Sequence, residues 1–320
     1  MMVARSEERR RGRGAIAAGQ RFARTGSRNV NFGFILTLLG ACCWSFGGLF
    51  VRTTSDIDAW QIIFYRSWVV LVITGGYMAL RYRSQLGPVF RAAGINALIA
   101  GVALGLAGLL FMLSLFYTSV AQAVFMGGIA PFTSALLARW MLGERVKKPT
   151  WTAMVVALFG LATMLWGTAG GGLNGSMLAL LSAFCFSCYS VLLRSGQKTE
   201  MTASIVWNGV FLILFSGAVL VLPTGLREWG GLGDFAIGWR NLAVTIAMGL
   251  VQLSLGLALF TKGSKTVPAA ELALLALAEP MLAPIWVWMA FGEVPAASTL
   301  AGGAIILSAL AYRSLTMARR

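Results

Sequence analysis

Gly33–Arg52 reads GFILTLLGACCWSFGGLFVR, and Gly175–Arg194 reads GSMLALLSAFCFSCYSVLLR. Superposed without a gap, Gly33, Leu36, Leu38, Leu39, Ala41, Cys43, Ser45 and Arg52 meet Gly175, Leu178, Leu180, Leu181, Ala183, Cys185, Ser187 and Arg194. Leucine matches between apolar segments arise by chance and are set aside. Each stretch is about 20 residues long, enough to cross a hydrocarbon layer of about 30 Å as a helix.

The same register pairs Tyr65 with Trp207 and Arg66 with Asn208. A second ungapped register pairs Gln122 with Glu271, Pro131 with Pro280, and Gly143-Glu144 with Gly292-Glu293. Two prolines at one fixed distance from a repeated Gly-Glu point to an internal duplication.

Composition agrees with a lipid setting. Of 320 residues, 58% are hydrophobic and 12% charged, too few polar groups to cover a water-soluble domain of this size. Mean hydropathy is +0.77. Backbone polar groups in lipid must bond internally, so only helices or closed barrels span it. The apolar runs have helix length and lack the short alternating pattern of barrel strands. The expected fold is therefore an all-α polytopic membrane protein with ten spans, near 32–52, 59–80, 94–116, 119–141, 149–167, 174–194, 202–222, 240–261, 267–291 and 296–314. Residues 1–31 form a basic tail, 32–167 and 174–314 are two five-helix repeats, and 315–320 is a short C-terminal tail.

The net charge of +15 does not indicate nucleic acid, because the basic residues lie in tails and turns between apolar runs. With the N-terminus inside, inner loops hold Arg81, Arg83 and Arg91, then Arg145, Lys147 and Lys148, then Arg194 and Lys198, then Lys262 and Lys265. Arg313, Arg319 and Arg320 add to the C-terminal side, while the outer loops carry only Arg227 and Arg240. This asymmetry predicts ten spans with both termini cytoplasmic. Five spans per half is an odd number, so the second half enters the membrane inverted. Inverted repeats are the architecture of many secondary transporters, which bind substrate near the midplane and expose it to each side in turn.

Ten spans in two repeats, each with a proline-containing fourth helix ending in Gly-Glu, resemble the drug/metabolite transporter superfamily, in its EamA-type branch. The matching stretches are Ala130-Pro131 through Gly143-Glu144 and Glu279-Pro280 through Gly292-Glu293, each followed by a helix rich in small residues. Arg66 in the second helix also fits the family pattern. The resemblance covers about 32–314. It implies a bacterial inner-membrane exporter of amino acids, other metabolites or toxic compounds, without fixing the substrate.

Glu279 is the foremost candidate site residue. It lies near the middle of the ninth span, where a charge costs about 3 kcal/mol on insertion scales. It should therefore face a cavity, find a partner or carry a coupling proton. Arg66 lies on the order of 10 Å below the end of its span, and either snorkels or holds a carboxylate of substrate or protein. Glu271 follows Pro268 in a first helical turn, where the helix dipole favours an acid. With Gln122 it either lines an entrance or serves the helix start. Trp44, Ser45, Tyr65, Ser187, Tyr189, Asn208, Gln252 and Trp286 form a polar and aromatic set suited to a central cavity. Each of these, taken singly, also fits plain packing.

Cys42, Cys43, Cys185 and Cys188 all fall in apolar runs, and the chain has no histidine, so they read as small core residues rather than metal ligands. No cofactor is expected. No Gly-rich phosphate loop ending in Lys-Ser or Lys-Thr is present. A membrane enzyme acting on lipids would need clustered acids or a nucleophile, and the acids here are scattered, so enzyme activity is not expected. A lipid-modifying enzyme and an uptake permease of the same fold remain the alternatives. Expected partners are a small-molecule substrate, the bilayer and a coupling proton, with no nucleic acid.

Overall fold

A computed structural model describes residues 32–318 apart from Asp56, Ser119, 165–172, 222–234, Glu293 and Pro295. The basic N-terminal tail, most of the long connection after residue 222, and Glu293 thus lie outside the described residues.

The described chain is helical nearly throughout. We label the helices α1 (Phe32–Thr53), α2 (Ala59–Tyr82), α3 (Leu86–Tyr117), α4 (Val120–Gly127), α5 (Ala130–Leu142), α6 (Lys148–Met164), α7 (Leu173–Ser195), α8 (Ala203–Val221), α9 (Trp239–Gly263), α10 (Ala269–Ala276), α11 (Ala278–Phe291) and α12 (Ala297–Ala318). Eight continuous helical stretches among the described residues are long and apolar enough to cross a membrane. One of them, Ala59–Ser114, has 56 residues and joins α2 to α3. As a straight helix it would run about 84 Å, nearly three times the hydrocarbon thickness. Its backbone departs from helix at Arg83 (φ 45°) and Gly94 (φ 57°, ψ −154°). Large apolar side chains such as Leu80, Leu136, Trp140, Phe159 and Met289 are exposed, which suits lipid and not water.

Proline explains where two helices are interrupted. A proline at position i has no N–H to donate to the carbonyl of i−4, and its ring crowds that carbonyl. For Pro131 that residue is Gly127, the last of α4. For Pro280 it is Ala276, the last of α10. The freed turns tighten to i−3 bonds, Gly128 N to Phe125 O at 2.9 Å and Leu277 N to Leu274 O at 3.2 Å. The following helices, α5 and α11, both stop at a left-handed glycine, Gly143 (φ 66°) and Gly292 (φ 70°). A side chain at either position would meet its own backbone.

Packing is dense between α3 and both α7 and α8, between α2 and α8, between α6 and α12, and between α5 and both α7 and α10. In α6 the buried stripe is Ala153, Met154, Ala157, Gly160 and Leu161. In α12 it is Gly302, Gly303, Ile306, Ala309 and Leu310. Each position of the second set lies 149 residues after one of the first, the same distance that separates the two prolines.

The basic loops gather at one end of the bundle. Arg194 Nε meets Glu144 at 2.6 Å, Arg194 Nη1 donates to the Lys265 carbonyl at 2.9 Å, and the Tyr82 hydroxyl donates to Glu200 at 3.0 Å. At the opposite end the Asn241 amide donates to the Ser55 carbonyl at 2.7 Å, and Gln61 to the Ala236 carbonyl at 2.9 Å. There Asp58 caps α2. Its side chain accepts from Trp60 N at 3.1 Å while Gln61 Oε1 accepts from Asp58 N, closing a reciprocal capping box.

Candidate functional site

Three irregular helices meet about midway along α1 and α9. In α1 the regular pattern lapses at Phe46, whose N–H reaches back only to Cys43 O at 3.4 Å. In α9, Met248–Leu255 is a π-helical segment, a geometry that recurs at functional sites. The third is α11, which follows the break at Leu277 and carries Pro284 inside it.

Four sequence-predicted residues come together here. The Trp286 indole N–H donates to Ser45 Oγ at 2.7 Å, and the Gln252 amide donates to the Trp44 carbonyl at 3.3 Å. Trp286 stacks on Phe46 with centroids 4.7 Å apart, and Trp44 packs against Phe260 and, edge-on, Phe186. Trp44 Nε1 and Gln252 Oε1 are buried with no partner. Buried polar atoms are nearly always bonded, so such orphans mark places for water or ligand.

Gly47 makes this contact possible. A Cβ there would stand 2.2 Å from Gln252 Nε2, so any side chain would displace the amide. Sequence reasoning passed over Gly47 and Phe46, because neither carries a polar group to attract notice.

Ser187 occupies a matching place. Its hydroxyl contacts Thr133 Oγ1 at 2.5 Å and lies 3.0 Å from the Ala130 carbonyl, next to the α4–α5 break. Ser45 and Ser187, paired by the repeat, thus each reach the helix that follows a proline break in the other half of the chain.

Glu279 lies in the first turn of α11 and is partly exposed. Among the described residues no hydrogen bond or ion pair reaches it, and it is not paired with Arg66. Arg66, also partly exposed, has a buried Nε without a partner. Its backbone carbonyl faces Gly249 of the π segment.

The remaining candidates are placed elsewhere. Tyr65 lies toward the less basic end, where its hydroxyl donates to the Phe235 carbonyl at 2.5 Å. Tyr189 is fully buried, stacked on Phe260 and bonded to Thr261 at 3.3 Å, as a core residue. Asn208 is buried in α8 beside Gly105 of α3, with Oδ1 unpartnered. Gln122 belongs to α4, and its side chain lies outside the described set. The four cysteines are free and half-buried, and the described residues contain no metal-ligating cluster.

Glu271 does start a helix, as its position after Pro268 predicts, but it is only 3% exposed. Its Oε1 pairs with Arg313 Nη2 and accepts from the Thr150 hydroxyl at 3.2 Å, and Thr150 accepts from Arg313 Nε at 3.0 Å. From sequence, Arg313 belongs with the charges of the C-terminal side. It instead lies buried in α12, which continues to Ala318. A signal was available: the residue 149 positions earlier is Met164, so an arginine stands where the repeat has an apolar side chain.

The sequence profile of the EamA-like transporter family matches residues 31–166 and again 173–314. The pseudopaline exporter CntI of Pseudomonas aeruginosa is 26% identical over 295 residues, 89% of this chain and 96% of that protein. A riboflavin transporter of Rhizobium johnstonii is 28% identical over 232 residues, 71% and 68% of the two chains. One solved crystal structure covers 90% of this chain and 98% of its own at a TM-score of 0.69 and 17% identity, a likeness of fold.

Proposed function

This chain belongs to the EamA-like transporter family, and on that premise we propose that it is a secondary exporter of small amphipathic metabolites, amino acids among them, working by alternating access with proton coupling at Glu279. Transport across a membrane follows from the family. Direction, solute class and coupling are our reading.

One observation carries it. Two helices are interrupted at positions 149 residues apart, before Pro131 and before Pro280, and an acid without a partner among the described residues stands in the first turn after the second break. Discontinuous helices in corresponding positions of two halves are where inverted-repeat transporters hold substrate and coupling ion. Exchanging the halves also maps several of the observed contacts onto one another. The pairs α2–α8 and α6–α12 return to themselves, and the α5–α7 contact becomes the α11–α1 contact. That supports ten spans in two inverted repeats, with the long α2–α3 stretch crossing twice. Collection of the basic loops at one end supports a cytoplasmic position for that end and for both termini.

The site suits an amphipathic solute. Trp286 and Phe46 offer apolar faces, Trp44 Nε1 offers a donor, and Gln252 Oε1 offers an acceptor. The exporter name of one relative and the vitamin named for another are in keeping with small polar cargo.

Glu279→Gln tests the coupling. In proteoliposomes the variant should fold and bind solute yet lose transport driven by a pH gradient. Transport with unchanged rate and pH dependence would remove proton coupling at this residue.

A further inference from the structure

The two ends of the bundle are not equally closed. Tyr189–Leu193 of α7 are all buried, while Gly47–Val51, 142 residues earlier in α1, include no buried residue. Along α5, Ala130, Ser134, Ala135 and Ala138 are buried, whereas Glu279, Ala283, Pro284 and Val287, 149 residues later in α11, are all partly exposed. Exchange of the halves would carry lipid-facing positions onto lipid-facing ones, so lipid exposure does not produce this difference. Among the described residues, these positions are packed at the basic end and loose at the opposite one.

At the packed end Glu271, Arg313 and Thr150 tie α10, α12 and α6 together. The positions related by the repeat are Gln122, Met164 and Thr299, which keep the hydroxyl and lose both charges. Separating a buried carboxylate from its guanidinium leaves each charge uncompensated unless water enters with it. Other charged groups close by do not replace the partner. Glu144 is held by Arg194, and Arg145 and Lys147 line a recess of about 40 Å3 beside Glu271, room for one or two waters.

We propose that the Glu271–Arg313 pair, bridged by Thr150, is a latch that holds the basic end shut, so that the resting transporter is open toward the opposite end. The latch rests on the alternating-access reading and adds to it the residues that set which side is exposed. Opening the basic end requires the pair to part. Opening the other end meets no such charge pair at the positions the repeat makes equivalent.

Hydrogen exchange of the full chain in lipid nanodiscs tests this without substrate or gradient. The variant is Glu271→Gln with Arg313→Met, which installs the residues of the opposite end and orphans no charge. Amides of residues 143–150 and 263–275 should exchange roughly 10-fold faster, while those of α11 slow. Equal acceleration at both ends, or none, would overturn the latch. Thr150→Val retains both charges and serves if the double variant does not fold. A smaller shift of the same sign supports the latch, and no shift overturns it. Should the latch respond while wild-type protein carries no solute in flux assays, the exporter reading alone fails.

Discussion

Trp286 donates its indole N–H to the Ser45 hydroxyl across 2.7 Å, joining the helix after one proline break to the lapse in α1. The bond spans 241 residues of sequence, and it brings an aromatic platform and a hydroxyl to one place. Neither helix alone would build that pair.

Trp286→Phe should retain the stack on Phe46 and lose the bond. One hydrogen bond contributes about 1 kcal/mol net, so thermal unfolding should change little. Transport efficiency should fall roughly 10-fold if Ser45 and Trp286 border the solute path. Unchanged flux would place the bridge outside that path.

Gly47→Ala and Gly48→Ala make an internal comparison. Alanine raises helix propensity by about 1 kcal/mol at either position. At Gly47 the new methyl collides with the Gln252 amide, while at Gly48 nothing lies within 4 Å. The Gly47 variant should lose most transport and the Gly48 variant should keep it. Initial rates in proteoliposomes decide the matter, and equal rates would separate Gly47 from function.

Glu200, in the turn between α7 and α8, gives a pH signature. Burial pushes its carboxyl up, but the Thr202 hydroxyl, Lys265 at 3.5 Å and the Tyr82 hydroxyl outweigh that and hold it below the ordinary value. A depressed carboxylate stabilises the fold above its unfolded pKa, about 4.3, and that contribution fades as pH falls through the lower folded value. Partial exposure to solvent keeps the effect at or under about 1 kcal/mol. Melting curves of wild type and Glu200→Gln should therefore differ at pH 7 and draw together as acid protonates the folded carboxyl. A gap independent of pH would contradict the assignment.

Much of the architecture was legible because helix length, charge placement and proline spacing are local or periodic. The spans near 59–80, 202–222 and 267–291 fall on α2, α8 and α10–α11 within a few residues. Pro131 and Pro280 stand at both interruptions because a missing N–H acts on its own helix, although as sequence they point only to the duplication. The site was legible only in part. Trp44, Ser45, Gln252 and Trp286 converge, but Tyr189 and Asn208 turn inward to packed helices, and sequence spacing cannot tell a cavity wall from a core. Arg313 was missed for a related reason. An arginine near the end of a span reads as an interfacial charge until the tertiary fold supplies Glu271.

The central claim is that solute crosses by alternating exposure of a binding site. Trans-stimulated counterflow in proteoliposomes tests it most directly, with a labelled solute chosen by thermal shift from amino acids, nucleosides and cationic dyes. Vesicles preloaded with the unlabelled solute should gather the label transiently above its external level, with rates that saturate. Flux that rises linearly with concentration and ignores the solute inside would contradict it.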